Sequence, residues 1–350
     1  MPPNGAKKEP KARRDPSLHK QKAKINDAAE PVSCAGVRIP VSLPGPRAFD
    51  VLTMGENSID LLAEVNGHPA PDTKIPLAAL SERPGGQSAT AAVAMARLGL
   101  RTSYIGRVGD DDYGRRGLAS LVAEGIDVAD VVTVPGVTSR FAVILVDRRA
   151  GTRTVLWHRD PDLLMAPEDI PARAVDAARV LYLDGSEVAA ATAAAEGARQ
   201  RGTPTVIDIE RVQAGTERLL RSIDVVIAAE AFPAAYTGVP ALGEALARLQ
   251  ADCGAPVVCV TLGEEGSLAR VGGREVRTPA FRVPVVDSTG AGDVFRAGFV
   301  AAWLHGGADI EADEAFRWAN AVAAMKCRGL GARTATPTLT ELRGFLDGAV

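Results

Sequence analysis

Residues 285–304 read VVDSTGAGDVFRAGFVAAWL. An apolar pair runs into Asp287, small residues fill Gly290, Ala291 and Gly292, and Asp293 follows. Val294, Ala297, Gly298 and Ala301 then recur at helical spacing. The pattern predicts a strand end, a tight turn, and a helix that starts at Asp293. Residues without bulk at 290–292 let backbone N–H groups approach an anion closely, and the helix N-terminus adds about half a positive charge there. A carboxylate in the first turn beside such an anion hole can accept a proton from an attacking hydroxyl. Phosphoryl transfer needs that pairing of donors and base. The plainer alternative is a helix N-cap, with Asp293 satisfying backbone amides.

Outward from this stretch, the chain from Phe49 reads as α/β. FDVLTMG (49–55), ARVLYLDG (178–185), PTVIDIE (204–210), DVVIAAE (224–230) and PVVCVTLGEEG (256–266) are short Val/Ile/Leu-rich runs that end in glycine or an acid. Helical patterns separate them, including SATAAVAMARLG (88–99), which Gly99 ends. Near-continuous apolar strands alternating with helices predict a mostly parallel sheet covered on both faces, a three-layer α/β/α architecture. Ligands in such sheets sit outside the carboxyl ends of the strands, where the glycine turns and VVDSTGAGD lie. RFAVILVD (140–147) and RTVLWHRD (153–160), joined by a short turn, predict a hairpin. With the Pro- and Gly-rich segment 61–84 it forms a small β lid, over 61–84 and 139–160.

The 350 residues carry a net charge of −3 and four widely spaced cysteines. That balance argues against nucleic acid as the main partner, and the cysteines fit no metal spacing. A reduced, cytoplasmic protein is expected, and no apolar run approaches the ~18 residues a membrane span needs. Residues 1–46 are rich in Lys, Arg and Pro and poor in large apolar side chains, so they read as a disordered basic tail before a domain at 47–347. A polyanion-binding arm is the alternative for that tail.

The string DSTGAGDVFRAGF (287–299) resembles the second signature of the PfkB, or ribokinase-like, carbohydrate kinases. GGQSATAAVAMARLG (85–99) followed by YIGRVGDDDYG (104–114) resembles the first. GENSID (55–60) is similar to the family's opening strand, VTLGEEG (260–266) to its nucleotide loop, and ANAVAAMKCRGLGA (319–332) to its adenine-side helix and turn. The resemblance spans residues 49–347. Within the family, the ATAAVA, IGRVGDDD and MKC strings look closest to the sulfofructose kinase-like branch.

The resemblance implies an ATP-dependent kinase of a ketose, sugar phosphate or sugar acid. Asp293 would be the catalytic base, with Gly290, Ala291 and Gly292 as the anion hole. Asp60, Gly85, Gly86, Gln87 and Thr90 would contact the sugar, and Thr261, Gly263, Gly266 and Asn320 the nucleotide. Asp287 and Thr289 would face a loop that holds K⁺, and the lid would also form a homodimer contact. Two positions depart from the family. Thr90 stands where an asparagine is usual, which loses an amide that both donates and accepts. The family's NxxE motif, which organises Mg²⁺ through water, is replaced by Ala229 and Phe232, leaving Glu230 as the neighbouring candidate.

Several residues keep two readings. Arg159, with Trp157, His158 and Asp160, either reaches a sugar pocket or forms a polar strand edge. Arg140 is an anion contact or a strand start, and Asp184 and Asp208 are pocket residues or turn formers. A nucleoside kinase of the same fold is the main alternative, its base pocket built from lid residues such as Trp157 and Phe141. A non-catalytic sugar sensor would have no need of a base at Asp293.

Overall fold

The computed structural model describes residues 36–150 and 152–348. The expected basic tail lies outside the described residues up to residue 35. From residue 36 the expectation of disorder to 46 needs correction, because Val37 and Ile39 are buried in the domain core. Arg38 bridges Glu311, and the Ala312 amide donates to the Val37 carbonyl at 2.7 Å. Two apolar side chains two residues apart share one face of an extended segment. That spacing lets both reach the core while charges surround them in sequence.

β1 (Phe49–Met54) is followed by β2 (Ser58–Val65), β3 (Ala79–Gly85), α1 (Gln87–Arg97), β4 (Thr102–Ile105), β5 (Arg107–Gly109) and α2 (Asp112–Val122). β6 (Val132–Val134) precedes the hairpin of β7 (Phe141–Asp147) and β8 (Thr152–His158). Alternation follows: α3 (Ala172–Ala177), β9 (Ala178–Asp184), α4 (Val188–Gln200), β10 (Thr205–Ile209), α5 (Thr216–Leu220), β11 (Val225–Ala229), α6 (Phe232–Thr237), α7 (Leu242–Cys253) and β12 (Val257–Thr261). A second hairpin, β13 (Ser267–Val271) and β14 (Arg274–Thr278), leads to α8 (Ala291–Gly306), α9 (Ala312–Lys326) and α10 (Leu339–Asp347).

Eight strands form the central sheet in the order β14-β13-β12-β11-β10-β9-β1-β4. The six from β12 to β4 run parallel, and β13 and β14 are antiparallel at one edge. Side chains alternate across the sheet, as strand geometry requires. Val180, Tyr182, Val206 and Ile227 pack with α1, α8 and α9. Leu181, Leu183, Ile207 and Val226 pack with α4, α5 and α7 on the other face. Both faces are dry, which is why these strands read as unbroken apolar runs. The expected three layers are therefore present. α8 is buried along its length from Val294 to Leu304, so its N-terminus is held rigidly against the sheet.

The lid is a separate four-stranded sheet in the order β3-β2-β7-β8. Its hairpin register pairs Asp147 with Thr152 and Phe141 with His158. Two expectations change. Val285 and Val286 are exposed irregular chain, not a strand end, with the Val286 amide bonded to the Cys327 carbonyl at 2.8 Å. The β13–β14 hairpin, turned by Gly272-Gly273, was not expected; its apolar alternation is broken by Arg270, Arg274 and Arg277.

Candidate active site

The floor of the site is the turn into α8. Gly290 has φ of 76°, and a Cβ there would lie 2.9 Å from Ala332, so no other residue fits without moving that chain. The Ala291 amide donates to the Ser288 carbonyl at 3.2 Å, which removes it from the expected anion hole. The amides of Gly292 and Asp293 find no acceptor among the described residues. They are first-turn donors of a long helix, the arrangement that binds anions. Asp287 closes the loop below them. Its Oδ1 accepts from the Thr289 amide at 2.9 Å and hydroxyl at 2.7 Å, and its Oδ2 from the Gly331 amide at 2.8 Å. Burial works against the charge, but these bonds and Lys326 hold the Asp287 carboxyl below the usual range.

Asp293, in the first turn of α8, is half-buried at the bottom of a cavity of about 590 Å³. Burial and the neighbouring Asp208 and Glu210 carboxylates push its pKa well above the usual range, against the pull of Arg296. Arg296 sits one turn along α8 from Asp293. It is 2% exposed, donates to the Ile227 carbonyl at 3.1 Å, and pairs with Asp208 at 2.7 Å. Asp208, at the carboxyl end of β10, is raised to about 7 by burial, with Glu210 adding to the shift and Arg296 opposing it. A single buried arginine thus serves a cluster of carboxylates at the strand ends.

The cavity lies between this floor and the lid. Asp60, Gly86, Gln87 and Thr90 line one wall, and Arg140, Phe141, Ala142, Trp157 and Arg159 hang from the lid. Gly86 has φ of 88° and a Cβ there would meet the Glu56 carbonyl at 2.4 Å, so the sugar-side turn is also glycine-only. Gly85 carries its backbone against Asp60, whose Oδ1 accepts from Ser58 at 2.9 Å. Burial raises the Asp60 pKa, opposed by Ser58 and Arg333. Arg140 is buried and paired with Glu187, which also holds Arg159 at 2.8 Å. Glu56 completes this cluster, raised to about 7 by burial and by Asp184. Arg140 and Arg159 line the cavity, whereas Asp208 is fully buried beside it and pairs with Arg296.

Arg333, Arg296, Glu56 and Glu187 were missed. Arg333 is buried and follows directly on the Gly331-Ala332 turn. It donates to the Gly85 carbonyl, to Thr90 Oγ1 at 3.3 Å and to Ser120 Oγ at 3.1 Å. Burial lowers its pKa to about 10, against Asp60. Thr90, standing where the family carries asparagine, is therefore an acceptor for this arginine. The available signal was the coincidence of that substitution with a charged residue in a small-residue turn.

The expected nucleotide residues lie away from this cavity. Thr261, Gly263 and Gly266 form the turn between β12 and β13; at Gly266 a Cβ would meet the Thr278 carbonyl at 2.1 Å. Asn320 is only 4% exposed, and its amide nitrogen lies 3.0–3.3 Å from Phe316, Ser267 and Thr278 oxygens. That nitrogen braces α9 against the hairpin. Glu230 is exposed and does not line the cavity. Among the described residues no group of three or more His, Cys, Asp or Glu could hold a metal ion. No helix among them is long and apolar enough to cross a membrane.

Comparison with known proteins agrees with this geometry. Residues 48–339 match the pfkB family carbohydrate kinase profile. A ribokinase from Haemophilus influenzae is 30% identical over 76% of this chain and 88% of its own. An ATP-dependent ribose-1-phosphate kinase from Halopiger xanaduensis is 30% identical over 85% of this chain and 98% of its own. The solved structure of adenosine kinase from Sinorhizobium meliloti is 25% identical and superposes with a TM-score of 0.72, over 85% of this chain and 99% of that one. The chain belongs to the pfkB family of carbohydrate kinases.

Proposed function

We propose that this carbohydrate kinase transfers the γ-phosphoryl group of ATP to a hydroxyl of a ketose, sugar phosphate or sugar acid held between Asp60 and the lid. The observation that carries this reading is Asp293 in the first turn of α8, beside the unpaired Gly292 and Asp293 amides. As the bond from sugar oxygen to γ-phosphorus forms and the bond to the ADP oxygen breaks, Asp293 takes the hydroxyl proton. The α8 amides hold the transferring group, and closure of the lid excludes water. Family membership and the ATP-dependent relative support ATP as donor.

Mg²⁺ would arrive with the ATP phosphates, neutralise their charge, and need few protein ligands. Glu210, which lines the cavity beside Asp293, fits that part better than Glu230, which does not line it. Arg159 and Arg211 line the cavity and favour a substrate that carries a phosphate or carboxylate. Phe141 and Trp157 line it as well, and their aromatic faces suit a nucleoside as the second reading. The outer face of the lid carries Leu80 and Leu156, both exposed, and half-buried Leu61, Val143 and Leu145, which supports a homodimer through the lid.

The test is sugar-dependent ADP release in a coupled assay over ribose, ketoses, sugar phosphates, sugar acids and nucleosides. Turnover with one class defines the substrate. No turnover with any, together with a rise in melting temperature with one of them, would support a sugar sensor instead.

A further inference from the structure

Kinship with this family brings the expectation of K⁺ beside the 287–292 loop, and the residues present do not fit it. α9 ends at Lys326, which is fully buried, and its Nζ donates to the Asp287 backbone carbonyl at 2.7 Å. A backbone carbonyl at the rim of a phosphate loop is the kind of oxygen a K⁺ ion would use. Here an ammonium already sits on it. The Asp287 carboxylate offers no second seat, since Thr289 and Gly331 take both of its oxygens. From the lid side the exposed Arg153 donates to Ser288 Oγ at 3.3 Å, adding another positive charge beside the same loop. A free cation placed there would meet an ammonium, a guanidinium and oxygen acceptors already taken.

We propose that the Lys326 ammonium is the built-in cation of the phosphate loop, so that this protein neither binds nor needs a monovalent metal ion there. The position is consistent with that task. The end of α9 is held to the loop a second time, through the Val286 and Asp287 amides that donate to the Cys327 carbonyl at 2.8 and 3.2 Å. The charge is therefore carried on a rigid helix end and needs no reorganisation when phosphate arrives. Unlike a dissociable ion, it is present at every salt composition. The inference rests on reading 287–292 as the phosphate loop of the kinase proposed above.

The experiment compares KCl with tetramethylammonium chloride at equal ionic strength. It reads the melting temperature of the ligand-free protein, ATP affinity by titration, and sugar-dependent turnover. The wild type is expected to give the same values in both salts, within about twofold for affinity and rate. Lys326→Met, which keeps the length and removes the charge, is expected to melt a few degrees higher in KCl and to bind ATP about tenfold tighter there. Crystals soaked in thallium(I), a K⁺ mimic, should show no ion at the Asp287 carbonyl of the wild type. An ion at that oxygen, or a wild-type melting temperature or ATP affinity raised specifically by K⁺, overturns the proposal. So does a folded Lys326→Met without any K⁺ preference. If that variant does not fold, the wild-type salt and thallium comparisons decide alone. Failure to bind ATP in either salt would refute the phosphate-loop reading, while ligand-free melting would still settle the cation question.

Discussion

The phosphate floor and the lid wall of the cavity are built on different plans. The floor draws most of its groups from one short stretch, Asp287 to Arg296, fixed by a glycine-only turn and a helix buried from Val294 to Leu304. The lid wall takes its residues from two places, Arg140 just before β7 and Trp157 and Arg159 at the end of β8, and β8 is exposed along its whole length. Chemistry common to every phosphoryl acceptor sits on the rigid part. In the proposed reading, discrimination among acceptors falls to a sheet that can change by one side chain without disturbing the core. Buried charges brace both parts, Arg296 with Asp208 at the floor and Arg140 with Glu187 at the lid.

Arg296→Met breaks the floor side of the comparison most severely. It removes the only guanidinium paired with buried Asp208 among the described residues, and about 3 kcal/mol of stability should be lost in chemical denaturation. Arg333→Met leaves the core intact but releases the Gly85 carbonyl and Thr90. About tenfold in kcat/KM should be lost, mainly through KM, and Arg333→Lys should restore little, because one ammonium cannot replace the three-way fork.

The pH responses of two buried carboxyls and of the rate run in opposite directions. Asp208 and Glu56 are both held near 7, above their unfolded values near 4, so the fold prefers them protonated. Their contribution to stability should therefore be complete below about pH 4 and be lost as pH rises to about 7, with Glu56→Gln flattening the slope over that window. The rate should do the reverse, falling as pH drops through the raised pKa of Asp293, because the base must be ionised. Trp157→Ala on the lid is the mildest change. Stability should hold within about 0.5 kcal/mol, since the ring is 64% exposed, while the preference among substrates shifts several-fold.

This contrast also explains what could be read in the sequence. The central sheet was legible because strands buried on both faces leave unbroken apolar runs, as in VLYLD and VVIAA. The floor was legible because its groups are contiguous in DSTGAGD. The bonds of the Asn320 amide nitrogen to Ser267 and the Thr278 carbonyl join α9 to the β13–β14 hairpin, a long-range pairing that no local pattern announces. Val37 and Ile39 escaped notice because two apolar residues amid prolines and charges carry no periodicity. The buried pairs Arg296–Asp208 and Arg140–Glu187 join residues 88 and 47 positions apart, and no local pattern links them. Arg333 and Thr90, 243 positions apart, are the same case, although the replaced asparagine pointed to a compensating partner.

The central claim is tested most directly by measuring ATP consumed and phosphorylated sugar formed in one reaction by ³¹P NMR, for wild type and Asp293→Asn. The account predicts one product per ATP for the wild type, and a loss of about 10³-fold in turnover for the variant with ATP affinity retained. A variant that phosphorylates sugar at a rate close to wild type would contradict it, and Asp293 would then be only a helix cap.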